Sequence, residues 1–245
     1  MAMMDNLKEM TIQDLLRNPT GKGSAQMAAR KFIIQDLDAR YYKLLMEHNK
    51  KLQVRCYKSK DDYLIHVLVP AEKYKGLYYD VLIQFTPHCE NKNDSDAIKT
   101  DRTLNRYRLK LFSNSPNFMF TYTYVLSKNN MIIEIIKHKC SPLALTEAPT
   151  VRNPVESYGF EKSCYFACKY LSDMGYLNKD TLDANLLTFN SIALQGQIKS
   201  QEAKLKEYNI AQKQHRASVK EAKKTTKTAS SSNTTKKKSS KSKKK

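Results

Sequence analysis

The chain has 245 residues, of which 40% are hydrophobic, and its eight Phe and fifteen Tyr supply enough apolar surface for one domain with its own core. Its formal net charge is +19, and no segment approaches the roughly 20 apolar residues of a membrane-spanning helix, so we expect no membrane partner. Five irregularly spaced cysteines lack the spacing of a disulfide framework, which predicts reduced thiols in a cytoplasm.

The N-terminal segment, residues 1–23, is predicted to be an extended, flexible arm. It begins without a positively charged stretch followed by an apolar run, so no secretory signal is predicted. A short amphipathic stretch ends at Leu16, and the Pro and two Gly within residues 17–23 favour a loop. Ser24 suits an N-cap, and apolar residues at helical spacing then predict a helix from about Ala25 to Lys50.

The middle of the chain is predicted to be β, because short runs rich in β-branched and aromatic residues are separated by turn residues. The six predicted strands are residues 52–57, 63–69, 77–85, 106–112, 118–125 and 131–136. The last two form a predicted hairpin around Asn129 and Asn130, since aromatic residues recur at every second position from Phe118 to Tyr124. Residues 86–103 are polar and predict a mobile excursion from the sheet.

The C-terminal part is predicted to be helical. Three prolines in residues 141–158 predict an extended connector, and Gly159 precedes a predicted helix that ends near Met174. Another helix is predicted to begin near Asp180 and to run toward Lys220. Consecutive strands followed by helices predict an α+β fold: an antiparallel sheet of about six strands, an N-terminal helix and C-terminal helices, followed by a disordered Lys-rich tail.

The positive charge is concentrated at the C-terminal end. Residues 196–245 contain sixteen Lys and Arg and three Glu, which gives +13, whereas residues 1–195 carry only +6. Residues 222–245 contain ten lysines, no acid and no large apolar side chain, so they cannot bury enough surface to offset the entropy of ordering. The predicted organisation is therefore an arm (1–23), an α+β core domain (24–195), an exposed helix (196–221) and a disordered basic tail (222–245).

Lysines in such a tail neutralise phosphates without sequence preference. The tail is therefore predicted to contact nucleic acid or another polyanion, and without Arg or aromatic residues it has no evident means of reading bases. The predicted polyanion-binding residues are Lys223, Lys224, Lys227, Lys236, Lys237, Lys238, Lys241, Lys243, Lys244 and Lys245.

Three patterns suggest chemistry and are each outweighed by a simpler interpretation. The loop Pro19–Ser24 resembles a phosphate cradle, but no strand precedes it, and Leu16 stands where a P-loop requires Gly. Soft-ligand pairs occur at His88-Cys89, at His138 and Cys140, and at Cys164 and Cys168. Because the spacing of a zinc knuckle is missing and the last pair falls on an apolar helix face, we expect no metal and no cofactor. The sequence leaves open whether a metal ion is bound by His88, Cys89, His138 and Cys140.

Neither a nucleophile nor a base-stacking surface is predicted. His88 points away from Cys89 if both lie in a strand, and no Ser/His/Asp grouping stands out, so we expect no enzyme. The aromatic row from Phe118 to Tyr124, beside basic residues of the strand 106–112, resembles the face of a single-strand binder. Alternating aromatics more often form the buried face of a sheet, with the cations on the wet face. The two sets are Phe118, Phe120, Tyr122 and Tyr124, and Arg106, Arg108 and Lys110.

Three segments have a distinctive sequence: NPTGKGS at 18–24, FSNSPNF at 112–118, and VRNP with YGFEKS within 151–163. In these segments the chain resembles structural (virion) proteins of AT-rich tailed bacteriophages, over about residues 15–175. The resemblance lies in the general character of the sequence rather than in a defining motif, and it does not include the lysine tail. It implies a structural part of a particle, such as a neck, tail or capsid-associated component, with no catalytic residues.

The leading interpretation is a non-enzymatic structural or assembly protein, found in the virion and, during assembly, in the host cytoplasm. Its expected partners are other virion proteins in a homo- or hetero-oligomer, and non-specific nucleic acid at the tail. The alternative is a free, non-sequence-specific nucleic-acid-binding protein that acts through residues 196–245. Removing residues 222–245 is predicted to leave particle incorporation intact in the first case and to abolish nucleic-acid retention in the second.

Overall fold

The structure is a computed structural model that describes residues 10–17, 24–72, 76–87, 92–148 and 161–232. It divides into two compact units, Met1–Gln201 and Glu202–Lys245. The first unit contains the sheet and the core, and the second contains the C-terminal part of a long helix. The class is α+β, with an antiparallel sheet and helices at both ends of the chain, as the sequence predicts.

The sheet is a meander of four antiparallel strands in the order β1-β2-β3-β4. The strands are β1 (Gln53–Ser59), β2 (Asp62–Pro70), β3 (Tyr78–Thr86) and β4 (Arg108–Ser113). Their register pairs His66 with Leu82 and Val81 with Ser113. Single β-bridges extend both edges, from Cys56 to Leu186 and from Leu111 to Ile132. In the described residues the sheet therefore has four strands, and the prediction of about six is not confirmed.

Helices fill the rest of the described chain. They are α1 (Ile12–Arg17), α2 (Ser24–Glu47), α3 (Lys92–Thr100), α4 (Pro116–Thr121), α5 (Thr123–Lys128), α6 (Pro142–Thr146), α7 (Lys162–Asp173), α8 (Lys179–Asp183) and α9 (Ser191–Ser232). A 3-10 helix spans Glu134–Lys139. None of the helices in the described part of the chain combines the length and apolar composition that crossing a membrane requires.

The predicted hairpin of residues 118–136 is wrong, because this region is helical. Ser115 caps α4 by accepting a hydrogen bond from the backbone N–H of Phe118 at 3.1 Å, and Pro116 occupies the first turn. A capping Ser followed by Pro is a strong helix start, since the ring of Pro presets φ and its missing N–H would be unpaired anyway. The aromatic alternation therefore does not define a strand: Phe118 is buried, whereas Phe120 is exposed.

Three further predictions change. Residues 86–103, predicted as an excursion without regular structure, contain α3, which is anchored by the buried Ile98. The single helix predicted from Asp180 is interrupted, because Leu187 N donates to Cys56 O at 2.8 Å and holds an extended segment beside β1. The part of the predicted arm that is described is not extended: it contains α1, whose Ile12 and Leu15 are fully buried.

The predicted disordered tail is not confirmed either. The backbone is helical up to Ser232, so the first eleven residues of the predicted tail belong to α9. The other residues, 233–245, lie outside the described part of the chain. Only five of the eleven residues 222–232 are Ala or Lys, and the other six are Thr or Ser, so intrinsic helix propensity does not explain this part of α9.

Helix α7 lies at the centre of the core. Seven of its twelve residues are buried hydrophobic side chains, and it contacts α1, α2 and strands β2, β3 and β4. On the opposite face of the sheet, Phe112 of β4 packs on Phe118 of α4, and Arg55 Nη1 of the edge strand β1 donates to Gln197 Oε1 of α9 at 2.6 Å. Both faces of β2 are buried along most of its length, and β2 accordingly has a nearly continuous apolar sequence.

Candidate functional site

A buried polar cluster joins β2 and β3 to Asn114, the residue that follows β4. His66 Nε2 is 2.8 Å from Asp80 Oδ1, and Asn114 Nδ2 donates to Asp80 Oδ2 at 2.7 Å. Asp80 N in turn donates to Asn114 Oδ1 at 2.9 Å. His66 and Asp80 are at most 1% exposed, so this cluster has the pairing of a catalytic dyad without access for a substrate. We interpret it as structural, because buried polar groups require partners of this kind.

A second buried cluster joins β4 to the start of α7. Glu161 caps α7 by accepting from Ser163 N at 2.8 Å and from Ser163 Oγ. Ser163 Oγ is also 3.2 Å from Ser113 Oγ on β4. Burial raises the pKa of Glu161, and its hydrogen bonds from Ser163 oppose that rise. A cleft of about 510 Å³ opens beside it, where Lys162 pairs with Glu72. Because Glu161 uses its hydrogen bonds to cap α7, we interpret its carboxyl group as structural rather than catalytic.

The raised pKa of Glu161 predicts a pH-dependent contribution to stability. The folded protein holds the proton more tightly than the unfolded chain, so stability falls as pH rises from the ordinary value toward the raised one, by at most about 1.4 kcal/mol per pH unit. In Glu161→Gln we expect this component to disappear, so the variant gains on the wild type as pH rises through that window. Urea unfolding at several pH values measures the difference, with the exposed Glu134→Gln as control. A difference that does not vary with pH contradicts the prediction.

The predicted soft ligands are not brought together within the described residues. Cys164 and Cys168 lie fully buried in α7, and burial raises both thiol pKa values, which suits core side chains. Cys140 is buried, whereas His138 is exposed, so the two do not share a face. No group of three or more possible metal ligands occurs in the described chain, and His88 and Cys89 lie outside it. The loop Pro19–Gly23 lies outside it as well.

The aromatic and basic residues that resemble a base-stacking face in the sequence do not form one in the structure. Phe118 is buried against Phe112, with ring centroids 6.2 Å apart, while Tyr122 and Tyr124 are half-buried. Arg108, predicted to face water, is buried, and its Nη2 donates to Asn130 O at 3.1 Å. Burial lowers the pKa of Lys110. The hypothesis of base stacking on this face is therefore not supported by the positions of these side chains.

An apolar cleft that sequence reasoning missed lies between α4 and α6. Its volume is about 240 Å³, and its rim includes Phe120 and Leu143, which are 65% and 62% exposed. Large apolar side chains that are exposed side by side are typical of protein contact surfaces. The exposure of Phe120 could have been predicted from the sequence. A helix that begins at Pro116 places Phe120 on a different side from the buried Phe118 and Thr121.

The described part of the C-terminal unit, residues 202–232, is helical and carries an excess of positive charge. Within residues 202–232, Lys204, Lys206 and Lys213 are exposed. Of the predicted polyanion-binding residues, Lys223, Lys224 and Lys227 lie on α9. The other seven lie outside the described residues: Lys236, Lys237, Lys238, Lys241, Lys243, Lys244 and Lys245.

Two surfaces of the described chain are candidate sites: the apolar cleft between α4 and α6, and the cationic part of α9. The buried clusters around Asp80 and Glu161 instead make hydrogen bonds within the sheet and at the start of α7. None of the protein-family models matches the chain, and the searches of curated proteins and of solved structures give no match either.

Proposed function

We propose that the protein is a non-enzymatic structural or assembly protein, a component of a tailed-phage particle. Its α+β core forms contacts with neighbouring subunits, and its cationic C-terminal segment contacts nucleic acid or an acidic surface. The observation that carries the proposal is the exposed apolar cleft, because Phe120 and Leu143 expose most of their side chains to solvent in the isolated chain. Burial in an assembly offsets the cost of that exposure.

The core also has the rigidity that an assembly subunit needs. Polar groups on the sheet pair internally in the cluster of His66, Asp80 and Asn114, although the buried His66 Nδ1 has no hydrogen-bond partner within the described part of the chain. The exposed side chains Leu187 and Ile192 add apolar surface near the start of α9. These features favour lasting protein contacts over turnover of a small substrate.

The proposal predicts that association depends on the cleft. The wild type is expected to form an oligomer at high micromolar concentration, and the double variant Phe120→Ser, Leu143→Ser is expected to be a monomer. Light scattering coupled to size-exclusion chromatography measures the mass. Because both side chains are exposed, the stability of the variant should stay within about 0.5 kcal/mol of the wild type.

Met46→Ser is the matched control, since this side chain is 66% exposed but lies outside the cleft. It is expected to leave the mass of the oligomer unchanged. If the wild type remains monomeric, or if the oligomer persists in the double variant, the cleft is not the surface through which the protein associates.

The cationic α9 favours a second candidate, a free non-sequence-specific nucleic-acid-binding protein acting through residues 196–245. Under this alternative, truncation after residue 221 abolishes retention of DNA or RNA, and the cleft variants have no effect on it. Under the leading proposal, the truncated protein still assembles. The two proposals are therefore separated by measuring mass and nucleic-acid retention on the same truncated protein.

A further inference from the structure

Seven of the eight cations of residues 202–232 lie on one face of α9, and the eighth, Lys204, lies outside it. With about 100° of rotation per residue, helical spacing places all the Lys and Arg residues of 206–232 within an arc of about 100°. These residues define the cationic face: Lys206, Lys213, Arg216, Lys220, Lys223, Lys224 and Lys227. The two acids of the same segment, Glu207 and Glu221, fall outside the arc. The separation of signs begins at Lys206, since Glu202 in the preceding turn falls within the arc.

Four of these cations recur every seven residues, at Lys206, Lys213, Lys220 and Lys227. At a rise of 1.5 Å per residue this row is about 32 Å long, close to the roughly 34 Å of one turn of duplex DNA. The helix continues through Lys227 to Ser232, so the whole row lies on one continuous helix. A regular row of this length can follow a line of phosphates.

The composition of the segment favours a phosphate backbone over other anionic surfaces. A helix that lies on a membrane needs a broad apolar face, and residues 206–232 contain only Tyr208, Ile210 and Val219 as large apolar side chains. Protein interfaces are anchored mainly by buried aromatic and Arg side chains. Six of the seven cations here are lysines, which bind phosphates as point charges without reading bases.

We propose that the cationic face of α9 binds the phosphate backbone of double-stranded nucleic acid, as an ordered surface rather than as a disordered polycation. This inference rests on the polyanion contact in the proposed function and names its partner and its surface. Lys206 and Lys213 are exposed and so are accessible to a duplex. The face lies N-terminal to most of the lysines that the sequence alone predicts to bind.

The test uses the full chain and a variant of identical composition. In the swap variant, the cations of the row move by unequal steps, so that they no longer form a row: Lys206→Glu with Glu207→Lys, Lys213→His with His215→Lys, Lys220→Glu with Glu221→Lys, and Lys227→Thr with Thr226→Lys. Each exchange rotates one cation at least about 100° out of its place in the face, while the net charge and the residues 233–245 stay the same. Binding to a fluorescent 24-base-pair DNA duplex is measured between 50 and 300 mM salt.

The swap variant is expected to bind at least 10-fold more weakly at about 100 mM salt. Its slope of log K against log salt is expected to be shallower by roughly 3 to 4, at about 0.9 per displaced phosphate contact. Helix content is checked by circular dichroism. If the helix is lost, the smaller variant with only the Lys213/His215 and Lys227/Thr226 exchanges is used, and about half of the slope change is expected.

Equal binding by the wild type and a folded swap variant overturns the ordered face but leaves the proposed polyanion contact standing. Binding of the wild type to poly-glutamate and not to the duplex overturns the nucleic-acid partner alone. Binding to neither overturns both proposals. A duplex of RNA in parallel reports whether the face distinguishes the two nucleic acids, and binding to either one supports the inference.

Discussion

Replacing Asp80 with alanine is expected to lower the free energy of unfolding by about 3 to 5 kcal/mol, because removing one partner of a buried pair leaves the other without compensation. Asp80 is fully buried and accepts hydrogen bonds from Asn114 at one oxygen while His66 lies 2.8 Å from the other. In Asp80→Ala, both of these polar groups remain buried without their partner. Urea unfolding monitored by circular dichroism measures the shift of the midpoint.

Asp36→Ala is the matched control, since Asp36 is 64% exposed and pairs with Arg40 one helical turn away. Its cost is expected to be about 0.5 kcal/mol or less. A double-mutant cycle with His66→Ala separates the pair from its surroundings and should show a coupling of roughly 0.5 to 3 kcal/mol. Equal costs for the Asp80 and Asp36 variants would show that the buried cluster does not stabilise the sheet.

Truncating Phe166 to alanine is expected to cost a similar amount, about 3 to 5 kcal/mol, through the cavity it leaves. Phe166 lies in α7, and its ring centroid is 6.0 Å from that of Tyr41 and 6.4 Å from that of Tyr165. This helix contacts both α1 and α2 and three strands, so a cavity here loosens the contact of the N-terminal helices with the sheet. The measurement is again the unfolding midpoint, with unchanged steepness indicating an intact folded state.

Phe120→Ala provides the comparison for this substitution, because it removes the same atoms from an exposed position. Its effect on stability is expected to be within about 0.5 kcal/mol. Comparable losses in the two variants would contradict the central position of α7. The two variants thus compare the loss of an aromatic ring at the surface, at Phe120, with the same loss in the core, at Phe166.

Much of the sheet could be predicted from the sequence. The strands near residues 52–57, 63–69, 77–85 and 106–112 follow from short apolar runs bounded by turn residues, and the structure places β1 to β4 there. The inward positions of Tyr107, Leu109 and Leu111 also follow from alternation, and all three are buried. Local patterns suffice in these segments because strand pairing and alternation point to the same register.

The hairpin prediction failed because two local signals conflicted. Alternating aromatics from Phe118 to Tyr124 favour a strand, whereas Ser115 and Pro116 favour a helix start. The cap determines the outcome, because it provides the first N–H groups of α4 with a partner and lets Phe118 pack on Phe112. The exposed cleft at Phe120 follows from this choice, so neither could be predicted from alternation.

The sequence by itself determined the class of fold, the four strands of the meander and the uneven distribution of charge, because each depends on the order and type of neighbouring residues. Only the tertiary structure decided that His66 and Asp80 meet in the core, that Leu186 and Ile132 flank the sheet, and that the cleft is exposed. These contacts join residues far apart in sequence, where pairing depends on how whole elements pack. These long-range contacts are stabilised by the burial of the surrounding core, and not by the secondary-structure preferences of the residues that make them.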